Sequence, residues 1–167
     1  MPNLSMTKFD EIKNTERQFH IGKVRAKDGK VEVRYGVVQK VDEPTHYVLF
    51  LNGRAEWIEK YAYVQADLGL PQHVGFVTWD HRGQGGSGGA RACIDHYDTY
   101  VDDACRVIDT VVKDKPYVVV AHSMGSLISL YGTLKGKFSP KALVLGSPFF
   151  GLPSRPVPTP LARPLSK

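Results

Sequence analysis

Ala121-His122-Ser123-Met124-Gly125 stands between an apolar run, Tyr117-Val118-Val119-Val120-Ala121, and a segment whose Leu127, Leu130, Tyr131 and Leu134 recur at helical spacing. That is the strand-turn-helix setting of a nucleophilic serine of the G-x-S-x-G type. So sharp a turn strains the serine backbone, lifts its hydroxyl above the sheet and accepts only small residues two before and two after. Ala121 and Gly125 are small. The helix beginning after Ser123 aims its free N–H groups and its dipole at the point where attack on a carbonyl would create an oxyanion. Met124 supplies one such N–H. A second donor belongs to the loop after an earlier strand, where Leu51-Asn52-Gly53-Arg54 is placed; Gly53 permits close backbone approach, and the Arg54 N–H is the candidate donor. The five-residue pattern alone also fits a plain small-residue turn into a helix, so the flanking strand, the helix and the Asn-Gly turn carry the chemical reading.

These groups need elements to hold them. Arg17 to Val38 reads as two strands about Ala26-Lys27-Asp28-Gly29, with Val31, Val33, Tyr35 and Val37 alternating, an antiparallel hairpin. Tyr47 to Leu51 is a continuous apolar run, the mark of a strand buried on both faces. Trp57, Tyr61, Val64 and Leu68 predict a helix stopped by Gly69 and Pro71, and Val74 to Trp79 predicts another strand. A glycine-rich loop follows, then a helix carrying Tyr97, Tyr100, Val101, Ala104, Ile108 and Val111, the strand before Ser123, the helix after it, and a last strand at Ala142 to Leu145. Strands alternating with helices mean parallel βαβ units, an α/β fold with a mostly parallel sheet behind an antiparallel hairpin. The expected organisation is a loose tail over 1–13, a partial α/β core domain over 14–151 and, over 152–167, the Pro-rich start of a missing segment.

Composition agrees with one globular domain: 167 residues, 42% hydrophobic and 23% charged. The longest apolar stretches fall far short of the ~20 residues that cross a bilayer. The net charge of +5 does not mark a nucleic-acid binder: all 17 Asp and Glu precede Ser123, and the six cations after it are dispersed rather than clustered. Cys93 and Cys105 make no disulfide framework, and the amino terminus has no secretory pattern, so the expected location is the cytoplasm with reduced thiols.

Four motifs together resemble the α/β-hydrolase fold, and within it the lysophospholipase and monoacylglycerol lipase-like, or serine aminopeptidase-like, group. They are Leu51 to Tyr61, Trp79-Asp80-His81-Arg82-Gly83-Gln84-Gly85-Gly86-Ser87-Gly88, Ala121 to Gly125, and Gly146-Ser147-Pro148-Phe149-Phe150. The resemblance spans about residues 17 to 165. Asn52 stands where that group usually has His, and Ala121 replaces the first glycine of the serine motif. The resemblance implies that Ser123 is catalytic, that Arg54 and Met124 form the oxyanion hole, and that Asn52, Gly53, Asp80, Arg82, His122 and Gly125 support them. Asp80 and Arg82 would brace the loop beneath the site. It also implies a lipid or small ester substrate, peripheral contact with a membrane, no nucleic acid, and no cofactor or metal.

Gly83 to Gly88 also spells G-x-G-x-x-G, so a dinucleotide-binding oxidoreductase is a third reading. Asp80 places an anion where pyrophosphate would lie, and Gly88-Gly89-Ala90-Arg91 does not open an apolar-periodic helix, which argues against it.

In the resembling group the triad order is nucleophile, acid, histidine. No Asp, Glu or His follows Ser123. The earlier histidines, His20, His46, His73, His81, His96 and His122, have bland placements, and His122 diverges from Ser123 in the turn. The expectation is therefore a chain shortened at its carboxyl end, lacking the last strands, the lid and the base. The alternative is a non-catalytic half-fold that binds lipid or a protein partner, with self-association through an exposed Ala142 to Leu145 edge. Phe149 and Phe150 are either an acyl-pocket wall or core.

Overall fold

A computed structural model describes residues 19–91 and 93–150. The tail at 1–13 and the Pro-rich stretch at 152–167 lie outside the described residues. Six strands form one sheet in the order β1-β2-β4-β3-β5-β6. β1 (His20–Arg25) and β2 (Glu32–Val38) are an antiparallel hairpin, and β2 pairs antiparallel with β4 (Val74–Trp79). β3 (His46–Leu51), β4, β5 (Tyr117–His122) and β6 (Leu143–Gly146) run parallel. The hairpin closes with Gly29 at φ 70°, a left-handed conformation open to glycine at no steric cost.

Both faces of the sheet are covered, which is why the central strands are nearly continuous apolar runs, Thr78 of β4 being a buried exception. Leu49, Val77, Trp79 and Val119 pack on one face against α2 (Tyr97–Val107) and α3 (Met124–Leu134). Val48, Phe50 and Phe76 pack on the other with Phe19, Ile58 and Ala62. Because side chains alternate along a strand, one register slip in β3 would exchange these two cores, so the pairing is fixed. Burying each of these large side chains contributes roughly 1.5–3 kcal/mol.

Two helical faces differ from the sequence expectation. The segment from Trp57 to Leu68 is a 3-10 turn (Ile58–Tyr61) and a short α1 (Val64–Asp67), not one helix. Its inward residues are Ile58, Ala62 and Gln65, whereas Trp57 and Leu68 are 44% and 43% exposed. Tertiary bonds set this orientation: the Asp80 carboxylate accepts the Ile58 N–H at 2.8 Å, and Glu59 is paired with Arg34. In α3 the buried face is Gly125, Ile128, Ser129 and Gly132, while Leu127 and Leu130 are half-buried and Leu134 is 78% exposed. Small residues win that face because its neighbours come close: Gly125 lies on the carbonyls at the end of β3, and Gly132 packs on the ring of Phe138 in the segment after the helix.

Among the described residues β6 is one edge of the sheet; it pairs with β5 and leaves Val144 57% exposed. Among the described residues no helix is long and apolar enough to cross a membrane.

Candidate active site

Ser123 sits between the end of β5 and the start of α3 at φ 51°, ψ −115°. A non-glycine residue there costs of order 1–3 kcal/mol and persists because its surroundings hold it. The Ser123 N–H donates to Gly146 O at 2.9 Å, and its carbonyl accepts from Ser126 N at 3.1 Å and Phe149 N at 3.3 Å. The Gly146 to Phe150 motif is thus wrapped on the serine turn. A methyl on Gly125 would lie 2.6 Å from Asn52 O and nearer still to Leu51 O, so only glycine fits. Ala121 is buried where β5 meets the turn. Met124 is the first helical residue, and its N–H has no intrahelical acceptor.

The loop after β3 is held from several sides. Gly53 comes so close to the serine that a Cβ added to it would stand 3.2 Å from Ser123 Cβ. Its N–H donates to Glu56 Oε2 at 2.6 Å, and the Ala55 N–H donates to the Gln84 side-chain oxygen. Between these two fixed amides, the Arg54 N–H has no acceptor among the described residues. Asn52 donates through Nδ2 to Trp79 O at 3.0 Å, and its carbonyl takes the Nε2–H of His81 at 3.1 Å. A carbonyl only accepts, which fixes the proton of His81 on Nε2. Burial drives the His81 pKa down to about 4, against the opposing pull of Asn52 O and Glu56, so the ring is neutral and structural. Burial pushes Glu56 up, but Lys60, the Tyr61 hydroxyl at 2.5 Å and the Gly53 N–H outweigh it and hold the carboxylate below its ordinary value.

Asp80 and Arg82 lie under this loop. Asp80 is fully buried; its carboxylate accepts from Ile58 N, from Gly86 N at 2.7 Å and from Arg34 Nη1 at 2.9 Å. Arg82 grips Asp103 of α2 through two bonds, 2.9 and 2.8 Å, and reaches Asp28 of the hairpin turn at 2.5 Å. Burial pushes the Asp103 carboxyl up despite this pairing, while Arg82 pulls Asp28 down. The glycine loop is closed on itself, with Gly83 N on Gly88 O and the Gly86 amide taken by Asp80. The next helix after it begins only at Tyr97.

Ser123 opens into a cavity of about 470 Å³ shared with Arg54 and Met124, whose walls include Ile94, Tyr97, Tyr100 and Phe149. Its described lining contains no His, Asp or Glu. His122 is half-buried and lies outside that lining; His46 and His73 stand beside each other at the amino ends of β3 and β4, the opposite end of the sheet. Cys93 also reaches the cavity as a free, exposed thiol, and Cys105 is free too. Among the described residues no cluster of His, Cys, Asp or Glu is arranged to hold a metal ion.

The sequence motifs did not single out Glu56, His81 or Gln84 as anchors of the Arg54 amide. For Glu56 a signal existed: an acid three residues after a turn amide, reaching back to it as in a capping box. His81 and Gln84 act across 29 residues, a relation no local spacing encodes.

Residues 42–167 match the family model described as serine aminopeptidase, S33. The chain is 34% identical over 113 residues to the probable lysophospholipase L2 of Haemophilus influenzae, covering 63% of this chain and 35% of that protein. It is 34% identical over 126 residues to the lysophospholipase L2 of Escherichia coli, covering 70% and 36%. It is 30% identical over 125 residues to the monoacylglycerol lipase of Mycolicibacterium smegmatis, covering 72% and 44%. The chain therefore spans less than half the length of these relatives. A solved structure of a putative lipase from Acinetobacter baumannii superposes with a TM-score of 0.70 at 16% identity over 98% of this chain and 53% of its own. An alpha/beta hydrolase from Sphaerobacter thermophilus gives 0.64 at 20% identity over 87% and 54%. These likenesses establish the α/β-hydrolase fold.

Proposed function

Because the chain belongs to the serine aminopeptidase S33 family of hydrolases, we propose that its site is the nucleophile half of a lipid ester hydrolase. Ser123 Oγ attacks the acyl carbonyl carbon of a lysophospholipid or monoacylglycerol, and the Met124 and Arg54 N–H groups hold the resulting oxyanion. The observation that carries this is the strained Ser123 backbone with the Gly53 loop packed against it. A cavity of about 470 Å³ walled by Ile94, Tyr97, Tyr100 and Phe149 suits an acyl chain. The names of the relatives, lysophospholipase L2 and monoacylglycerol lipase, support the substrate class.

The serine proton must leave as the Oγ–C bond forms. These 167 residues place no Asp, Glu or His after Ser123. The described lining of the Ser123 cavity likewise holds no His, Asp or Glu to take it, so the rate advantage of this described site alone is the ~10³–10⁴ that oxyanion stabilisation and binding supply without a base. Hydrolysis of a short p-nitrophenyl ester should be close to background; fast turnover that disappears in Ser123→Ala would show that a base is present and overturn the incomplete-site reading.

A second reading, a half-fold that binds rather than catalyses, is favoured by the exposed Val144 on β6 and by the exposed Phe150. An apolar edge with no partner strand among the described residues recruits another strand, here a second copy of the chain. Sedimentation at tens of micromolar, roughly the range where such weak contacts show, should reveal reversible dimers that Val144→Lys removes; a strict monomer contradicts this reading.

A further inference from the structure

We propose that the Arg54 side chain reads an anionic phosphate in the head group of a single-chain lipid whose ester carbonyl lies at Ser123. The inference rests on the ester-hydrolase reading and narrows its substrate class to lysophospholipids over neutral monoacylglycerols.

Five of the six described arginines are engaged. Arg34 pairs with Glu59 and Asp80, Arg82 with Asp103 and Asp28, and Arg25, Arg91 and Arg106 each donate to a backbone carbonyl. Arg54 has no hydrogen-bond or ion-pair partner among the described residues. Its position is nevertheless not adventitious: its backbone is fixed between the Gly53 and Ala55 bonds, and its residue lines the same cavity as Ser123. No carboxylate stands in the described lining, so nothing there competes for the guanidinium. The other walls are mainly apolar and aromatic, and the α3 amino terminus adds positive potential at the same place. A mainly apolar cleft that shares Ser123 with an arginine having no partner among the described residues matches a ligand that carries an alkyl chain, an ester and a phosphate. In a lysoglycerophospholipid only the glycerol unit separates ester from phosphate, so both groups can lie in the one cavity that Ser123 and Arg54 line. A guanidinium also suits phosphate better than a point charge does, because it donates two parallel hydrogen bonds.

The test is equilibrium binding to the 167-residue chain, followed by calorimetry at low salt, with decanoyl lysophosphatidylglycerol, monodecanoylglycerol and inorganic phosphate, all below micelle formation. The lysophospholipid should bind about tenfold tighter than the neutral lipid, the size expected of one partly exposed charged hydrogen-bonding pair. Arg54→Gln should bring that ratio close to one, and Arg54→Lys should keep part of it. A wild-type ratio near one, or a ratio unchanged in Arg54→Gln, overturns the role of Arg54 while leaving the ester-hydrolase reading intact. Inorganic phosphate binding as tightly as the lysophospholipid would assign Arg54 to free phosphate and overturn the lipid part. Binding of neither lipid would remove both the proposal and the lipid reading of the cavity. Thermal melts of both variants establish that they are folded; Arg54 is exposed, so little change is expected.

Discussion

Gly53 and Ser123 approach so closely that a methyl group on the glycine would lie 3.2 Å from the serine Cβ and 2.7 Å from Glu56 Oε2. The loop after β3 and the Ser123 turn are therefore packed as one unit, and the Arg54 amide is positioned by contacts to β4, to the glycine turn and to its own Glu56.

Gly53→Ala should displace Glu56 or push the loop off the serine. Imidazole-assisted acylation of Ser123 should fall by ~10²-fold or more, the size of losing one oxyanion donor. Unfolding by urea should show a stability loss of about 1–3 kcal/mol from overpacking. Wild-type acylation in Gly53→Ala would mean that the loop does not serve the reaction.

Gly125→Ala forces a methyl against the Asn52 and Leu51 carbonyls, backbone atoms that no rotamer change relieves. The expected loss is about 1–3 kcal/mol, read from the urea midpoint at constant slope. An unchanged midpoint would show that α3 does not sit this close to β3.

His81 predicts a pH dependence. Its folded pKa, about 4, lies below its ordinary 6.5, so between these values the unfolded chain binds more protons than the folded one. Stability should be full above pH 6.5 and decline as pH falls toward 4, by about 3 kcal/mol in all. Glu56, Glu59 and Asp28, all held below their ordinary values, add their own losses at the acid end of that range, so the decline just below pH 6.5 isolates the histidine. His81→Gln keeps a donor for Asn52 O and should flatten that part of the profile in thermal melts; an unaltered profile would assign the slope elsewhere.

The strand-helix alternation was legible because buried parallel strands leave unbroken apolar runs, as at Tyr47 to Leu51. The setting of Ser123 was legible because its turn demands small neighbours on both sides. Helix faces were less so: Leu127, Leu130 and Leu134 mark an apolar stripe, yet α3 turns Gly125, Ser129 and Gly132 inward, since close approach of its neighbours selects for size over hydrophobicity. The face carrying Ile58, Ala62 and Gln65 is likewise set by Asp80 and Arg34, residues distant in sequence. Spacing along a chain gives periodicity; direction comes from the partner.

The most direct measurement is mass-spectrometric mapping of a fluorophosphonate adduct on the 167-residue chain, with imidazole titrated in as an external base. Labelling should be slow without imidazole, rise with its concentration, fall on Ser123 alone, and vanish in Ser123→Ala. An adduct elsewhere, or labelling that ignores both imidazole and the Ser123→Ala substitution, would contradict the proposal that Ser123 is the nucleophile and that the described site supplies it no base.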